Sequence, residues 1–213
     1  MIAGRYRYVA IEGPIGAGKT SLARKLAEHY QAHTLLERPE ANPFLERFYT
    51  DRKRFALPTQ LFFLFQRVQQ LAEVRQLDLF QSSLFADFLL DKDPLFARLT
   101  LADDELRLYE QILAQLRPQT APPDLVIHLQ ASPGTLAERV ARRGNPIEAR
   151  VEAAYLEALA ESYTRFFHQY DEAPVLTVNT EHLNPIDNDA DFRLLLDRIG
   201  RLRGRREYFN LAA

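Results

Sequence analysis

The 213-residue chain has no cysteine, no tryptophan and one methionine. The absence of cysteine excludes disulfides and thiolate metal sites. The five histidines, at 29, 33, 128, 168 and 182, are scattered, and no histidine metal site is expected from them. No apolar run approaches the roughly 20 residues that a bilayer-spanning helix needs; the longest strong one is "LFFLF" (61–65). The opening "MIAGRYRYVAIEG" carries arginines but no apolar stretch of signal-peptide length. A soluble, cytoplasmic protein with no membrane partner is expected. An excess of one charge is lacking too. Lys and Arg number 27 against 29 Asp and Glu, a net charge of −2. There is thus no global basic field and no general case for a nucleic-acid partner. The tail over 201–213, with "RLRGRREYFNL", is locally basic and is expected to be a solvated or frayed end. Glycine is scarce, eight in all, yet three of the eight fall at 13, 16 and 18.

What is present is an alternation of strand-like and helix-like segments. The composition is 46% apolar, typical of a folded chain. "YRYVAI" (6–11) reads as a buried strand. "TSLARKLAEHY" has helical spacing at Leu22, Leu26 and Tyr30. "HTLLE" (33–37) is a candidate second strand. A long helix is expected over 58–80, with Pro58 near its first turn, and "SLFADFLL" (83–90) as a buried strand ending near Asp87. Thr100 to Asp103 resembles a capping box ahead of a helix over 104–116. "PPDLVIHLQA" (122–131) is the clearest strand. A helix over 132–144 has Ser132 as cap and Gly144 as stop. A helix over 148–170, a strand over 173–180 and a helix over 188–202 complete the pattern. It predicts an α/β fold of three layers, a five-stranded parallel sheet flanked by helices, in one domain spanning 1–213.

The glycines belong to Gly13-Pro14-Ile15-Gly16-Ala17-Gly18-Lys19-Thr20, which fits G-x-x-x-x-G-K-[ST] with a strand before it and a helix after it. In such a P-loop, successive backbone N–H groups turn inward toward phosphate oxygens, and the following helix adds the positive end of its dipole. Lys19 is expected on the β- and γ-phosphates of ATP and Thr20 on Mg²⁺. The D-x-x-G and N-K-x-D motifs of a GTPase are absent. A motor ATPase is usually larger. A small-molecule kinase is expected, and it needs a carboxylate to take the acceptor's proton, an acceptor pocket and arginines that neutralise the moving phosphoryl group.

"GPIGAGKT", "LLERPEANPF", "FYTDRKRFALPTQLFFLFQR", "DFLLDKD" and "HLQASPGTLAERVARRG" occur in that order. Together they resemble the deoxynucleoside kinases, especially the bacterial deoxyadenosine/deoxyguanosine kinase branch, over about residues 6–180. The resemblance implies Glu37 as the base facing the 5′-hydroxyl, with Glu40 as the fallback. It implies Gln60 and Arg67 as readers of the base. These two stand seven apart, so they share a helix face. Phe63 lies between them as a stacking or wall residue. Tyr49 and Glu148 are implied at the sugar 3′-hydroxyl, and Asp87 at Mg²⁺ with Thr20. Asp93 is implied as the partner of Arg67, a pairing that favours a purine or cytosine over thymine. Arg139, Arg142 and Arg143 are implied as a lid, about 139–150, closing over the ATP phosphates, with Arg139 and Arg143 serving catalysis. A homodimer is implied as well.

The chain departs from the family at one place. Many members carry an arginine directly after the acid at the third strand's end, and here Phe88 follows Asp87. Phe88 as a pocket wall, with Lys92 or a lid arginine supplying the charge, is one expectation. Two other readings stay open: a kinase for a nucleoside monophosphate, with Arg52, Lys53 and Arg54 as the extra basic group, and a nucleotide-binding regulatory protein without efficient turnover.

Overall fold

The computed structural model describes residues 5–74, 83–116, 122–148 and 151–211. Its centre is β1 (Tyr8–Glu12), flanked by β3 (Leu84–Ala86) and β4 (Leu125–Gln130); β2 (His33–Leu35) lies outside β3, and β5 (Val175–Asn179) outside β4. All pairings are parallel. The inner strands are buried on both faces, which is why they read as unbroken apolar runs rather than alternating ones. Val9 and Ile11 face α1 (Lys19–Tyr30) and α8 (Asp189–Arg201). Ala10 and Val126 face α4 (Asp93–Thr100) and α7 (Ala153–Gln169). A third cluster joins α3 (Arg52–Val74) to α5 (Asp103–Leu116).

The sheet has six strands rather than five. The basic tail is not a frayed end: Arg206–Phe209 form β6, parallel to β5. Its arginines are used locally. Arg206 Nη2 donates to Tyr170 O at 2.7 Å, and Arg205 donates to Asp171 O, both carbonyls just beyond α7. Residues 212–213 lie outside the described ones.

Several boundaries differ from the sequence reading for local reasons. The long helix begins at Arg52, six residues early, and passes through Pro58. Asp51 is the reason: its Oδ1 accepts from Arg54 N at 3.3 Å and its carbonyl from Phe55 N at 3.2 Å, starting the helix before the proline. The expected stretch 75–80 of that helix lies outside the described residues. The capping box sits two residues later than expected. Thr100 ends α4, its Oγ1 donating to Phe96 O, whereas Glu105 reaches back to Ala102 N at 3.2 Å. The helix expected from 148 starts at Ala153. By contrast, α6 (Pro133–Arg143) has Ser132 accepting from Thr135 N at 3.2 Å and Gly144 at φ 65°, as expected. A short helix, α2 (Leu45–Thr50), and α4 itself were not anticipated. Among the described residues no helix is long and apolar enough to cross a membrane.

The chain moves from β1 toward one edge of the sheet and from β3 toward the other. The carboxyl ends of these adjacent strands, in register at Ala10 and Ala86, therefore open onto a crevice at a topological switch point, where ligands of such sheets bind.

Candidate active site

The loop after β1 is a tight cradle. Gly16 has φ 85°, and a Cβ there would stand 2.7 Å from the carbonyl oxygen of Leu136. Gly16→Ala is therefore expected to destabilise the fold by about 1–3 kcal/mol. Urea unfolding checks this, and a midpoint unchanged from wild type contradicts it. Lys19 Nζ donates to the loop's own carbonyls, Gly13 O at 2.8 Å and Pro14 O at 3.2 Å. Burial and the neighbouring charge of Lys92 both push the Lys19 pKa down, against the pull of Glu12 and Glu37.

Thr20 Oγ1 donates to Asp87 Oδ2 at 2.5 Å, joining the mouth of the loop to the end of β3. Burial pushes the Asp87 carboxyl up, and the Thr20 hydrogen bond opposes this. Among the described residues no ion pair reaches Asp87, so the Thr20 hydroxyl and a carboxylate held by hydrogen bonds from Thr20 and Glu37 N face each other. Such hard oxygen donors fit Mg²⁺, which takes one or two protein oxygens and fills its shell with phosphate and water. The described residues hold no group of three or more His, Cys, Asp or Glu suited to a metal. His29 and His33 stand four apart, but α1 ends between them at Tyr30.

Glu37 follows β2 and is turned inward. Its backbone N–H donates to Asp87 Oδ1 at 2.8 Å, fixing it beside the Thr20–Asp87 pair. Its Oε1 accepts from Arg67 Nε at 2.6 Å and lies 2.5 Å from Arg67 Nη2 and 3.7 Å from Lys92 Nζ. Burial raises its pKa; Arg67, Lys92 and Lys19 more than offset that and hold it at about 2. Glu40 is exposed and borders a different, outer cleft with Arg24, Arg38 and Glu73.

Arg67 projects from α3 and is only 4% exposed. It also pairs with Asp93 at the start of α4, and Asp93 accepts from Tyr109 Oη at 3.0 Å. Gln60, two turns earlier, donates through Nε2 to Thr100 Oγ1 at 3.3 Å. The cation of Arg67 stands 5.3 Å from the Phe63 ring centre. Gln60, Phe63, Arg67 and Tyr49 all line one cleft with Lys19 and Glu37. Arg143 and Glu148 border the same cleft, joined by bonds of 3.0 and 3.1 Å.

Three groups of residues singled out in the sequence lie outside this cleft. Arg139 turns away from this cleft to Thr180, donating to Oγ1 at 2.9 Å and to the carbonyl at 2.6 Å. With Arg142 it lines a second, polar groove behind the loop, bounded by Ser21 and Ile186. Phe88 is no pocket wall: it is fully buried between α3 and α5. Arg52 lies 3.7 Å from Glu152 and 4.5 Å from the Tyr155 ring centre, and none of Arg52, Lys53 and Arg54 borders the cleft. Residues 149–150 of the expected lid lie outside the described ones. The sequence reading missed Glu12, the buried end of β1, and Tyr109 and Tyr163, which bond the buried acids. A signal existed for Glu12: a lone carboxylate closing an apolar strand needs a buried partner.

The sequence model of the family described as "Deoxynucleoside kinase" matches residues 9–202. A Bacillus subtilis deoxyguanosine kinase is 34% identical over 200 residues, covering 92% of this chain and 97% of that protein. A Lactobacillus acidophilus deoxyadenosine kinase is 27% identical, covering 84% and 88%. The solved structure of deoxyadenosine kinase from M. mycoides with bound dATP superposes with a TM-score of 0.78 at 25% identity, covering 91% and 99%. With the family match running from β1 to the end of α8, around a phosphate loop and an inward-facing acid, the chain belongs to the deoxynucleoside kinase family.

Proposed function

We propose that the protein transfers the γ-phosphoryl group of ATP, with Mg²⁺, to the 5′-hydroxyl of a purine deoxynucleoside. The observation that carries this reading is one cleft lined by Lys19, Thr20, Asp87, Glu37, Gln60 and Arg67, in which hydrogen bonds link Thr20 to Asp87, Asp87 to Glu37 and Glu37 to Arg67. That is the order phosphate, alcohol, base along a nucleoside meeting a triphosphate. The backbone amides of 13–20 bind the phosphates, and Lys19 leaves its loop carbonyls for the β- and γ-oxygens. Thr20 and Asp87 would hold Mg²⁺, which would supply charge neutralisation on the phosphates. Glu37 takes the 5′-hydroxyl proton as the 5′-oxygen bonds to phosphorus and the bond to the β-phosphate oxygen breaks, leaving ADP. Arg143 and Glu148 close the cleft toward phosphate and sugar, beside Tyr49. Arg139 and Arg142 serve the donor nucleotide from the polar groove.

Asp93 already accepts from Arg67 and Tyr109, so the pocket's end presents chiefly donors from Arg67. Guanine offers two adjacent acceptors, O6 and N7, to such a fork. Turnover of the four natural deoxynucleosides with ATP and Mg²⁺ tests the reading. Deoxyguanosine or deoxyadenosine is expected to give the highest kcat/KM and thymidine the lowest; the reverse order overturns it. A cytoplasmic homodimer packed through helices belongs to the same reading. Phe65 of α3 and Leu108 of α5, 52% and 46% exposed, permit such packing, and sedimentation equilibrium decides it.

A further inference from the structure

Two charges under the cleft have no part in that account. Glu12 is fully buried and Lys92 is 1% exposed. Glu12 is held on every side. Its Oε1 accepts from Leu89 N at 2.6 Å and lies 3.0 Å from Lys92 Nζ. Its Oε2 accepts from Gly13 N at 3.1 Å and Tyr163 Oη at 3.0 Å. The acid thus ties the phosphate loop to the segment after β3 and to α7. Lys92 reaches it because Leu90–Lys92 form a single 3₁₀ turn before α4. After that turn the Lys92 ammonium meets Glu12 and borders the cleft.

A buried pair that served only stability would face nothing but itself. Lys92 instead borders the cleft with Lys19 and Glu37, and its second carboxylate neighbour is Glu37, at 3.7 Å. Arg67, at 2.5 and 2.6 Å, and Lys92, at 3.7 Å, both meet Glu37 at Oε1. Among the described residues no hydrogen bond falls on Oε2. Besides Arg67, Lys92 is the ion-pair partner of Glu37 among the described residues.

We infer that Lys92, anchored by Glu12, is a positioning residue for phosphoryl transfer: it tethers Oε1 of Glu37 while Arg67 serves the base, leaving Oε2 to the 5′-hydroxyl. This rests on the deoxynucleoside kinase reading above. Lys92 acts through Glu37, so its effect depends on Glu37 being a carboxylate.

The test is a double-mutant cycle on the full chain with deoxyguanosine, ATP and Mg²⁺. Lys92→Met removes the ammonium; Lys92→Gln removes the charge but keeps an N–H for Glu12, and carries the test if the Met variant does not fold. Lys92→Gln is expected to lower kcat about 10²-fold, the scale of a misplaced reacting group, with the nucleoside KM within about threefold. Lys92→Arg, which keeps the charge, is expected to recover kcat to within about tenfold of wild type. In a Glu37→Gln background, adding Lys92→Gln is expected to cost less than about threefold. An equal loss in both backgrounds assigns Lys92 to stability alone and overturns the inference, as does an unchanged kcat in Lys92→Gln. A wild-type protein that phosphorylates no deoxynucleoside overturns the function reading itself, and this inference with it.

Discussion

Glu37→Gln is expected to lower kcat about 10²–10⁴-fold, the range associated with a lost general base, while the nucleoside KM stays near that of wild type. The substitution is close to isosteric. Its amide oxygen still accepts from Arg67, so the wall of the cleft keeps its shape. What is lost is a group able to take a proton. In the native protein Arg67, Lys92 and Lys19 outweigh burial and keep that carboxylate ionised. A group so charged is a weak base toward a free alcohol. It suits a loose phosphoryl transfer, in which the alcohol's proton becomes labile only as the bond to phosphorus forms. Steady-state kinetics against deoxyguanosine decides the matter, and turnover within a few-fold of wild type removes Glu37 as the base.

Arg67→Ala is expected to act on stability and specificity together. Asp93 is 1% exposed and Arg67 4%, so the variant strands a buried carboxylate. Stranding one member of such a pair costs about 3–5 kcal/mol. Burial pushes the Asp93 carboxyl up, and Arg67 is the main opposing influence, ahead of Lys92 and Tyr109; without Arg67 the carboxyl is pushed up further. The denaturation midpoint is therefore expected to drop sharply. The double variant Arg67→Met with Asp93→Asn leaves no charge at either position and is expected to regain most of that stability, with Lys92 still beside Glu37, yet not the preference among bases. A single variant that unfolds at the wild-type midpoint contradicts the buried pair. An unchanged ranking of the four deoxynucleosides in either variant removes Arg67 from base recognition.

Local features were the legible ones. The loop announced itself because only glycine tolerates φ near 85–92° at 16 and 18 and because a strand and a helix flank it. Ser132 and Gly144 act through bonds within a few residues of themselves, so their roles as cap and stop were visible in the chain. Gln60 and Arg67 share a face by helical period alone. Misreadings arose where two local signals competed, as when Asp51 began a helix whose first turn the sequence pattern put at Pro58. They arose also where a partner lies far along the chain. The basic tail became a strand because β5 presents a free edge to it, about 30 residues upstream. Tyr163 meets Glu12 across 151 positions, and nothing near either residue marks the other.

By itself, the sequence determined the phosphate loop, the alternation of strands and helices, and the residue types available for catalysis, because these depend on backbone preference and periodicity within a few turns. Only the tertiary structure decided which charges meet. The crossovers from β1 and β3 bring Glu12, Glu37, Arg67, Lys92 and Asp93 into one buried cluster and send Arg139 and Phe88 elsewhere. Burial removes the water that would otherwise screen those charges, so their arrangement in space, and not their presence in the chain, sets what each one does.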